Sequence, residues 1–323
     1  MLVFSLFLPL ILYFSLKERF KILDKSTLIL LSSIILIFPV FQFSAIWGNN
    51  HNTALIFFSL GILFLNSFVK TDFKNILKLL IAIIFLTLAC YTKQFYIFFF
   101  VFLLTFLINK ISLKKFIFIS VFIVLCAIPG VYFLFLNPLL FFGIKQSTTN
   151  FNSAILVSAS MIFFYLVPFI IQIIINKDDY RKFDLSYLFN KKIFFISIII
   201  TFLCGLNFTY EGNVGGGIIL KLSYFLFDKP YLIIPVAFFG IYFLLYFSQN
   251  TISNYTLIIL LLITFSTGFY IFQKYFEPMF YIIFLNYFDK NKISQSIKKS
   301  NYIIIFYFCI YYFVTNYIYF LGL

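Results

Sequence analysis

Long apolar runs joined by short polar connections are the feature that most constrains this 323-residue chain. A membrane-spanning helix needs about 20 apolar residues, within a range of about 17–25. Runs that approach this length lie at 1–16, 27–47, 53–69, 76–91, 94–108, 116–136, 153–175, 193–209, 231–247, 255–272, 275–288 and 301–322. The pattern predicts an all-α fold, a polytopic integral membrane bundle of about 11–12 transmembrane helices.

The composition excludes several classes of protein. The chain is 63% hydrophobic and 11% charged, whereas average soluble chains are about 45–50% apolar and about 25% charged. A water-soluble globular enzyme and a disordered chain are therefore excluded. The apolar runs are continuous rather than alternating, which argues against a transmembrane β-barrel.

The basic residues are distributed unevenly between the connections. Nineteen of the 24 lysine and arginine residues fall in alternate connections, beginning with the one after the first run. Cytoplasmic connections of membrane proteins are enriched in such residues, so this side is predicted to be cytoplasmic and the N-terminus non-cytoplasmic. The net charge of +14 is then a topology signal and a contact with anionic membrane lipids, and no nucleic-acid partner is expected.

Three expectations concern the organisation of the chain. The first run enters the membrane without a basic segment before it, which predicts that an upstream span and outer loop are missing, so that the chain is either a fragment or the partner of a separately encoded piece. Residues 1–323 are expected to form a single transmembrane domain. The stretch 76–108 would be about 50 Å long as one helix, so the polar step Thr92-Lys93-Gln94 is predicted to be a turn.

Polar residues in the outer connections are the candidates for a binding site, since polar groups near the membrane are costly unless they are used. The lysines predicted there as donor phosphate-binding residues are Lys93, Lys145, Lys221 and Lys274. Lysine is a compact point charge that suits phosphate. Snorkelling of a lysine at a helix end is the alternative reading of each one.

Amide and carboxylate side chains in the same connections extend the candidate site. The predicted sugar-binding residues are Asn49, Asn50, His51, Asn52, Gln94 and Gln273. Glu277 is predicted as the catalytic base or orienting group. The asparagines are also common turn residues, and Gly215-Gly216-Gly217 is either an anion-binding nest, a lid or a mobile loop.

Metal and cofactor chemistry is not predicted. The chain has four cysteines and one histidine, and none of the cysteines is paired at metal-ligand or redox spacing. P-loop, Rossmann, serine hydrolase and zinc protease motifs are missing from the sequence. We therefore expect no metal and no cofactor.

Four segments, all ending at the predicted outer face, carry a family resemblance: Phe38–Thr53, Leu88–Gln94, Gly143–Ser147 and Gln273–Glu277. They contain, in order, a proline before an apolar run and a polar turn, a small-residue helix ending in Lys-Gln, a basic outer loop and a Gln-Lys-x-x-Glu turn. In this order they resemble the multispanning GT-C glycosyltransferases, and among them the dolichyl-phosphate-glucose-dependent α-1,2-glucosyltransferases. The likeness covers about residues 27–290.

The resemblance implies a membrane glycosyltransferase that moves a sugar, with inversion, from a polyprenyl-phosphate donor to a lipid-linked glycan acceptor at the outer or lumenal face. Lys93, Lys145 and Lys274 would hold the donor phosphate. The chain departs from the family in having no counterpart of the first outer loop, which carries a catalytic acid there. Amides within Gly48–Asn52 replace another acidic residue, and Met279 stands where the glucosyltransferases have arginine.

Two alternatives stay open at this point. An O-antigen-type polymerase is expected to have a large outer loop rich in arginine, but Arg19 and Arg181 both lie in predicted cytoplasmic connections. A non-enzymatic flippase or transporter of lipid-linked glycans is expected to place ionisable groups in the middle of its spans. The predicted spans contain few such groups.

Overall fold

The computed structural model describes residues 2–21, 23–136, 150–175, 189–210, 215–266, 270–297 and 302–320. Over these ranges the backbone forms α-helices and short 3-10 helices, and it contains no β-strand. The predicted all-α class is confirmed for this part of the chain. A helix satisfies its backbone hydrogen bonds within one segment, which is what long apolar runs require in a membrane.

The helices form two compact units. One contains Met1–Gly130 together with Glu277–Leu323, and the other contains Val131–Phe276. The second unit is therefore inserted into the sequence of the first. The domain predicted over 1–323 thus holds two compact helical units.

The first unit contains the helices from both ends of the sequence. They are α1 (Leu2–Ser5), α2 (Phe7–Arg19), α3 (Lys25–Ser33), α4 (Pro39–Ile46), α5 (His51–Lys70), α6 (Ile76–Thr92), α7 (Phe98–Leu107), α8 (Leu113–Leu136), α14 (Met279–Tyr287), α15 (Lys290–Ile297) and α16 (Tyr302–Phe320). The end of α8 passes Gly130 and belongs to the second unit. Short 3-10 helices at Ile34–Ile37 and Gln94–Ile97 extend α3 and precede α7.

A sharp bend divides the predicted span 27–47. The segments Lys25–Ile37 and Pro39–Ile46 meet at an angle of 62°. Phe38 between them is extended, with ψ at 124°, because the ring of the following proline disfavours the helical conformation at the preceding residue. The Phe38 ring packs against Tyr281 and Phe308, with centroid separations of 5.5 and 5.0 Å, so the bend is anchored by helices α14 and α16.

Three polar side chains join α2, α5 and α14 inside the first unit. The Ser15 hydroxyl donates to Asn286 Oδ1 at 2.8 Å. The Asn66 amide donates to Ser15 Oγ at 3.0 Å and to Asn286 Oδ1 at 2.8 Å. Hydrogen bonds of this kind hold helices together where the surrounding lipid offers no hydrophobic driving force. They fix the position of the nine-residue helix α14.

Arg19, at the end of α2, closes the C-terminus of α14. Its guanidinium donates to the carbonyl oxygen of Leu285 at 2.8 Å and to that of Phe288. The last carbonyl groups of a helix have no partner within the helix, and a cation also interacts favourably with this end of its dipole. Arg19 therefore serves as a C-terminal cap supplied from a distant part of the sequence.

The second unit is built from the remaining helices. They are α9 (Phe151–Ile175), α10 (Lys191–Gly205), α11 (Gly217–Phe227), α12 (Ile233–Phe247) and α13 (Ile252–Ile263), followed by a 3-10 turn at Gln273–Tyr275. Helices α9 and α12 approach closely at Gly240. A side-chain methyl group there would overlap the carbonyl oxygen of Ala159, so this contact depends on glycine, as close helix packing in membranes often does.

Several of the observed helices are long enough for a membrane. His51–Lys70, Leu113–Phe133 and Phe151–Ile175 have the length and composition to cross one, and the bent pair around Phe38 adds a fourth if it counts as one span. Shorter apolar helices occupy other predicted spans, and among them Ile76–Thr92 and Tyr302–Tyr317 are prominent. The predicted turn within 76–108 is confirmed, since α6 ends at Thr92 and Lys93 is extended.

Candidate functional site

The predicted site residues fall into the two units. Asn49, Asn50, His51, Asn52, Lys93, Gln94 and Glu277 belong to the first unit, and Lys221, Gln273 and Lys274 belong to the second. Lys145 lies outside the described residues. Each unit therefore holds its own set of candidate residues.

The cluster of the second unit surrounds an open pocket. Its volume is about 370 Å³, and it is lined by Gly215, Gly217, Ile218, Lys221, Phe272, Gln273 and Lys274. Three residues that the sequence analysis selects for phosphate or sugar binding thus line one cavity. Lys93 and Gln94 are not part of its lining.

A glycine segment forms one wall of this pocket. Gly215, Gly216 and Gly217 all have positive φ angles, of 79°, 73° and 74°, a conformation that other residues adopt only at a cost. The Gly216 amide donates to the carbonyl oxygen of Ile271 at 2.7 Å. This bond joins the glycine segment to the chain that carries Gln273 and Lys274.

Close contacts show that the glycine segment is packed rather than loose. A Cβ atom on Gly215 would lie 2.8 Å from the Ile271 carbonyl oxygen and 2.9 Å from the Tyr210 hydroxyl. The Tyr210 hydroxyl also accepts a hydrogen bond from the Ile271 amide at 3.3 Å. Burial is the main cause that raises the pKa of this phenol above its usual value, so the hydroxyl stays neutral and keeps this bonding arrangement at physiological pH.

The pocket lies at the N-terminus of α11, where backbone amides point outward without partners in the helix. Gly216 precedes the helix and has no side chain with which to cap it. The cap comes instead from Gln273, whose side-chain oxygen accepts a hydrogen bond from the Ile218 amide at 2.9 Å. A residue 55 positions later in the sequence therefore completes this helix end.

Two lysines give the pocket its charge. Lys221 follows Ile218 by three residues, and residues at this spacing share one face of a helix. Lys274 follows Gln273, and its ammonium group lies 4.7 Å from the ring centroid of Phe272 and 5.8 Å from that of Tyr275. Both lysine side chains are exposed. Two cations beside the positive end of a helix make the pocket suitable for an anion.

In the first unit, Glu277 is entirely buried. Its carboxylate accepts a hydrogen bond from the Tyr311 hydroxyl at 2.7 Å and another from the Val40 amide at 3.4 Å. Its backbone carbonyl oxygen lies 3.0 Å from His51 Nε2. The carboxylate thus ties α16 and the start of α4 to the chain before α14, and no part of it is open to solvent.

The asparagine-rich turn of the first unit is divided between surface and interior. Asn49 and Asn50 are exposed, whereas His51 and Asn52 are buried at the start of α5. The Asn52 amide donates to Ser5 Oγ at 3.0 Å and to the carbonyl oxygen of Phe41 at 2.9 Å. The structure therefore brings His51 and Glu277 together, and it uses Asn52 to join helices.

Lys93 and Gln94 occupy the short connection between α6 and the 3-10 helix before α7. Lys93 is half-buried and extended, and Gln94 is exposed. Their predicted roles in phosphate and sugar binding stay predictions. The carbonyl oxygen of Lys93 accepts a hydrogen bond from the Tyr96 amide at 3.2 Å, which stabilises the connection locally.

Sequence reasoning missed several members of both clusters. In the pocket it missed the Ile218 amide and the Phe272 ring, and in the first unit it missed Tyr311. A backbone donor at a helix start leaves no mark in the sequence, and one more aromatic residue is inconspicuous in a chain that contains 23 tyrosines and 53 phenylalanines. The visible signals for the pocket were the glycine triplet and the polar residues Lys221, Gln273 and Lys274.

Within the described ranges, no group of three His, Cys, Asp or Glu side chains is placed to hold a metal ion. The cysteines Cys90, Cys126, Cys204 and Cys309 are free thiols. The chemistry of the two clusters is therefore described by lysine, amide, carboxylate and aromatic groups.

Comparisons of this chain with protein-family models, with curated proteins and with solved structures find no match.

Proposed function

We propose that this chain is a polytopic membrane glycosyltransferase that binds the phosphate of a polyprenyl-phosphate sugar in the pocket of the second unit. The observation that carries the proposal is the meeting of Lys221, Lys274 and the N-terminus of α11 around one cavity. The family resemblance supplies the reaction, and the pocket supplies the chemical reason to expect a phosphate ligand.

The size and composition of the pocket support this ligand. Small-molecule sites are concave, commonly about 300–1,000 Å³ in volume, with a few convergent polar groups in a largely apolar lining. The observed cavity of about 370 Å³ has lysine and amide groups on one part of its wall and Phe272 on another. A phosphate attached to an apolar chain matches both parts of this lining.

In the proposed membrane arrangement, the pocket lies at the outer face, where the proposed reaction takes place. In the topology that the basic residues predict, with a non-cytoplasmic N-terminus, the connections that hold Lys221 and Lys274 both lie on the outer side. A lysine on that side is not explained by the positive-inside tendency. The proposal assigns these two lysines to the headgroup of a lipid ligand at the membrane surface.

The proposed reaction is a direct displacement at the anomeric carbon of the donor sugar. The acceptor hydroxyl oxygen forms the new glycosidic bond while the bond from the anomeric carbon to the phosphate oxygen breaks, with inversion. The electron pair of that bond leaves with the polyprenyl phosphate, and the hydroxyl proton passes to a base. Lys221 and Lys274 stabilise the negative charge that develops on the leaving phosphate.

Glu277 enters this proposal as an orienting group. Its carboxylate is completely buried and bonded to Tyr311, so it holds the chain directly after the Gln273–Lys274 turn. A base must be able to reach the acceptor hydroxyl. The proposal therefore leaves that proton to a group other than the Glu277 side chain.

The burial of Glu277 also favours a second candidate function. A non-enzymatic flippase or transporter of lipid-linked glycans needs the phosphate-binding pocket but needs no catalytic base. Such a protein would bind the same ligand without transferring the sugar. The two candidates therefore share a binding site and differ in the chemistry that follows.

The test of the shared binding site uses the purified full chain in lipid nanodiscs, with farnesyl phosphate as the probe. We expect the single variants Lys221→Ala and Lys274→Ala to weaken binding by about 10- to 100-fold each, because hydrogen bonds to charged groups contribute about 1.5–3 kcal/mol. Lys229→Ala is the matched control, since Lys229 is exposed and lies in the same predicted outer connection. Equal affinities for all four proteins would refute the pocket assignment.

The test of the reaction uses the same nanodiscs with a radiolabelled polyprenyl-phosphate sugar and a lipid-linked glycan acceptor. Transfer that disappears in Lys274→Ala and persists in Lys229→Ala supports the glycosyltransferase. Intact binding of the donor without any transfer, combined with movement of the labelled lipid between leaflets, supports the transporter.

A further inference from the structure

The side-chain oxygen of Gln273 lies at the N-terminal end of α11, in a pocket that two lysines also line. It accepts from the Ile218 amide at 2.9 Å, in the first turn of α11 where the helix dipole favours negative charge. Lys221 lies one turn further along the same helix face, and Lys274 is the next residue in the sequence. An uncharged amide oxygen therefore holds a backbone amide that could instead donate to a phosphate oxygen.

The local sequence makes this placement necessary. Helix ends of this type are usually capped by a serine, threonine, aspartate or asparagine side chain just before the helix. Here the three preceding positions are glycines with positive φ angles, so none of these three positions offers a side chain to the Ile218 amide. Gln273 fills this role from a different segment. A cap from another segment can leave without unwinding the residues that precede the helix.

We propose that Gln273 is a displaceable placeholder, which yields the Ile218 amide to a phosphate oxygen of the ligand and so makes the pocket selective for anions. This inference rests on the proposed phosphate pocket. For a neutral ligand, replacing the amide oxygen brings no net gain in binding free energy, because such a ligand forms no ion pair with the two lysines. A phosphate gains both the amide and the lysines, which outweighs the loss of the Gln273 bond.

This role differs from the sugar-binding role that the sequence analysis gives to Gln273. A group that binds the sugar directly strengthens binding, so its removal weakens the complex. A placeholder competes with the ligand, so its removal strengthens the complex. Substitution at this single position therefore distinguishes the two roles by the sign of the change in affinity.

The first variant is Gln273→Met, which keeps nearly the same length and removes the amide. We expect farnesyl phosphate to bind roughly three- to tenfold more tightly than to the wild type, which corresponds to the net value of one ordinary hydrogen bond. Inorganic phosphate is expected to show the same direction of change, and farnesol no change. Weaker binding of farnesyl phosphate to Gln273→Met would overturn the proposal.

The second variant is Gln273→Glu, which places a fixed carboxylate at the same point. The carboxylate is expected to hold the Ile218 amide and to pair with the lysines, and to weaken farnesyl phosphate binding by at least about tenfold. Gln249→Glu, at an exposed position of the second unit, is the control for the added charge. Binding to Gln273→Glu that equals that of the control would contradict the placeholder role.

A direct readout guards against variants that fail to fold. The wild-type chain is labelled with ¹⁵N-isoleucine, and the Ile218 amide resonance is assigned as the signal that disappears in Ile218→Val. Saturation of the wild type with farnesyl phosphate is expected to shift this resonance. An unchanged Ile218 resonance at saturation would also overturn the inference.

The comparison with the lysine variants separates the two proposals. If Lys221→Ala and Lys274→Ala lose binding while Gln273→Met also weakens it, the phosphate pocket stands and the placeholder role fails. If the lysine variants bind as the wild type does, the pocket assignment itself fails.

Discussion

The two units place their polar side chains in opposite environments. In the first unit, Glu277 is buried and receives hydrogen bonds from Tyr311 and Val40. In the second unit, Lys221 and Lys274 are exposed around an open cavity. A buried polar group must be hydrogen-bonded to be tolerated, whereas an exposed cation is available to a ligand. The comparison indicates that Glu277 contributes to the fold of the first unit, and it is consistent with the ligand-binding role proposed for the second cluster.

The same contrast separates residues that look equivalent in the sequence. Lys274 and Glu277 are three positions apart, and a single turn motif selects both as site residues. One of them reaches the pocket of the second unit, and the other is locked inside the first unit. Proximity in sequence therefore does not imply a shared role, and substitutions at the two positions are expected to affect different properties.

The largest effect is expected from Glu277→Ala. This change removes the acceptor of the hydrogen bonds from the buried Tyr311 hydroxyl and the half-buried Val40 amide, and it is expected to lower the free energy of unfolding by about 3 kcal/mol. Chemical unfolding in detergent micelles, followed by circular dichroism, measures this loss. Glu277→Gln keeps an acceptor oxygen, and its free energy of unfolding is expected to fall by less than half of the decrease in Glu277→Ala. Loss of sugar transfer in Glu277→Gln at unchanged stability would instead give Glu277 a catalytic role and break the comparison.

The next effect is expected from Gly240→Leu in the second unit. The new side chain would overlap the Ala159 carbonyl oxygen and force α9 and α12 apart, at a cost of about 2 kcal/mol or more. The melting temperature of the purified chain checks this expectation. Gly205→Leu is the milder control, because its nearest neighbour atom would be 3.7 Å from the added Cβ. Equal melting temperatures for the two variants would contradict the close contact at Gly240.

A smaller effect is expected from Arg19→Ala, which removes the cap of α14. Two charge-assisted hydrogen bonds to helix carbonyl groups are lost, and we expect a decrease of about 2 kcal/mol in the free energy of unfolding. Arg19→Lys should recover only part of this loss, since an ammonium group cannot reproduce the planar fork of a guanidinium. If Arg19→Lys has the same free energy of unfolding as the wild type in this experiment, the positive charge alone accounts for the stabilisation and the guanidinium geometry does not matter.

The smallest effect on stability is expected from the double variant Lys221→Ala/Lys274→Ala. Both side chains are exposed, and substitutions at such positions usually change the free energy of unfolding by less than about 0.5 kcal/mol. The same variant is expected to lose farnesyl phosphate binding. A large decrease in its melting temperature would show that the lysines stabilise the second unit and would weaken the distinction between the two clusters.

The helical class and many helix positions were predictable from the sequence because they follow from apolar run length. The polar step at Lys93 correctly predicted the end of α6, since a charged residue between apolar runs marks a boundary. The run 275–288 yields only the helix Met279–Tyr287, which is about 14 Å long and too short to cross a 30 Å core. Its boundaries come from Pro278 and from the hydrogen bonds to Asn286 and Arg19, which connect residues far apart in the sequence.

The pocket was only partly predictable. Lysine and glutamine in outer connections indicate polar binding, and that reasoning selected Lys221, Gln273 and Lys274. Helix α11 falls within a segment that the sequence predicts to be an outer loop, and its 11 residues, which include Lys221 and Ser223, are too few for a span. The juxtaposition of Gln273 with Ile218 depends on tertiary packing across 55 positions, and no local pattern encodes it.

The insertion of the second unit between Gly130 and Glu277 has a consequence for biosynthesis. A ribosome delivers Val131–Phe276 to the membrane before it makes α14, α15 and α16. Folding domains generally assemble as units during synthesis. Ser15 of α2 and Asn66 of α5 can bond to each other early, but their bonds to Asn286 form only when the last part of the chain arrives and completes the first unit.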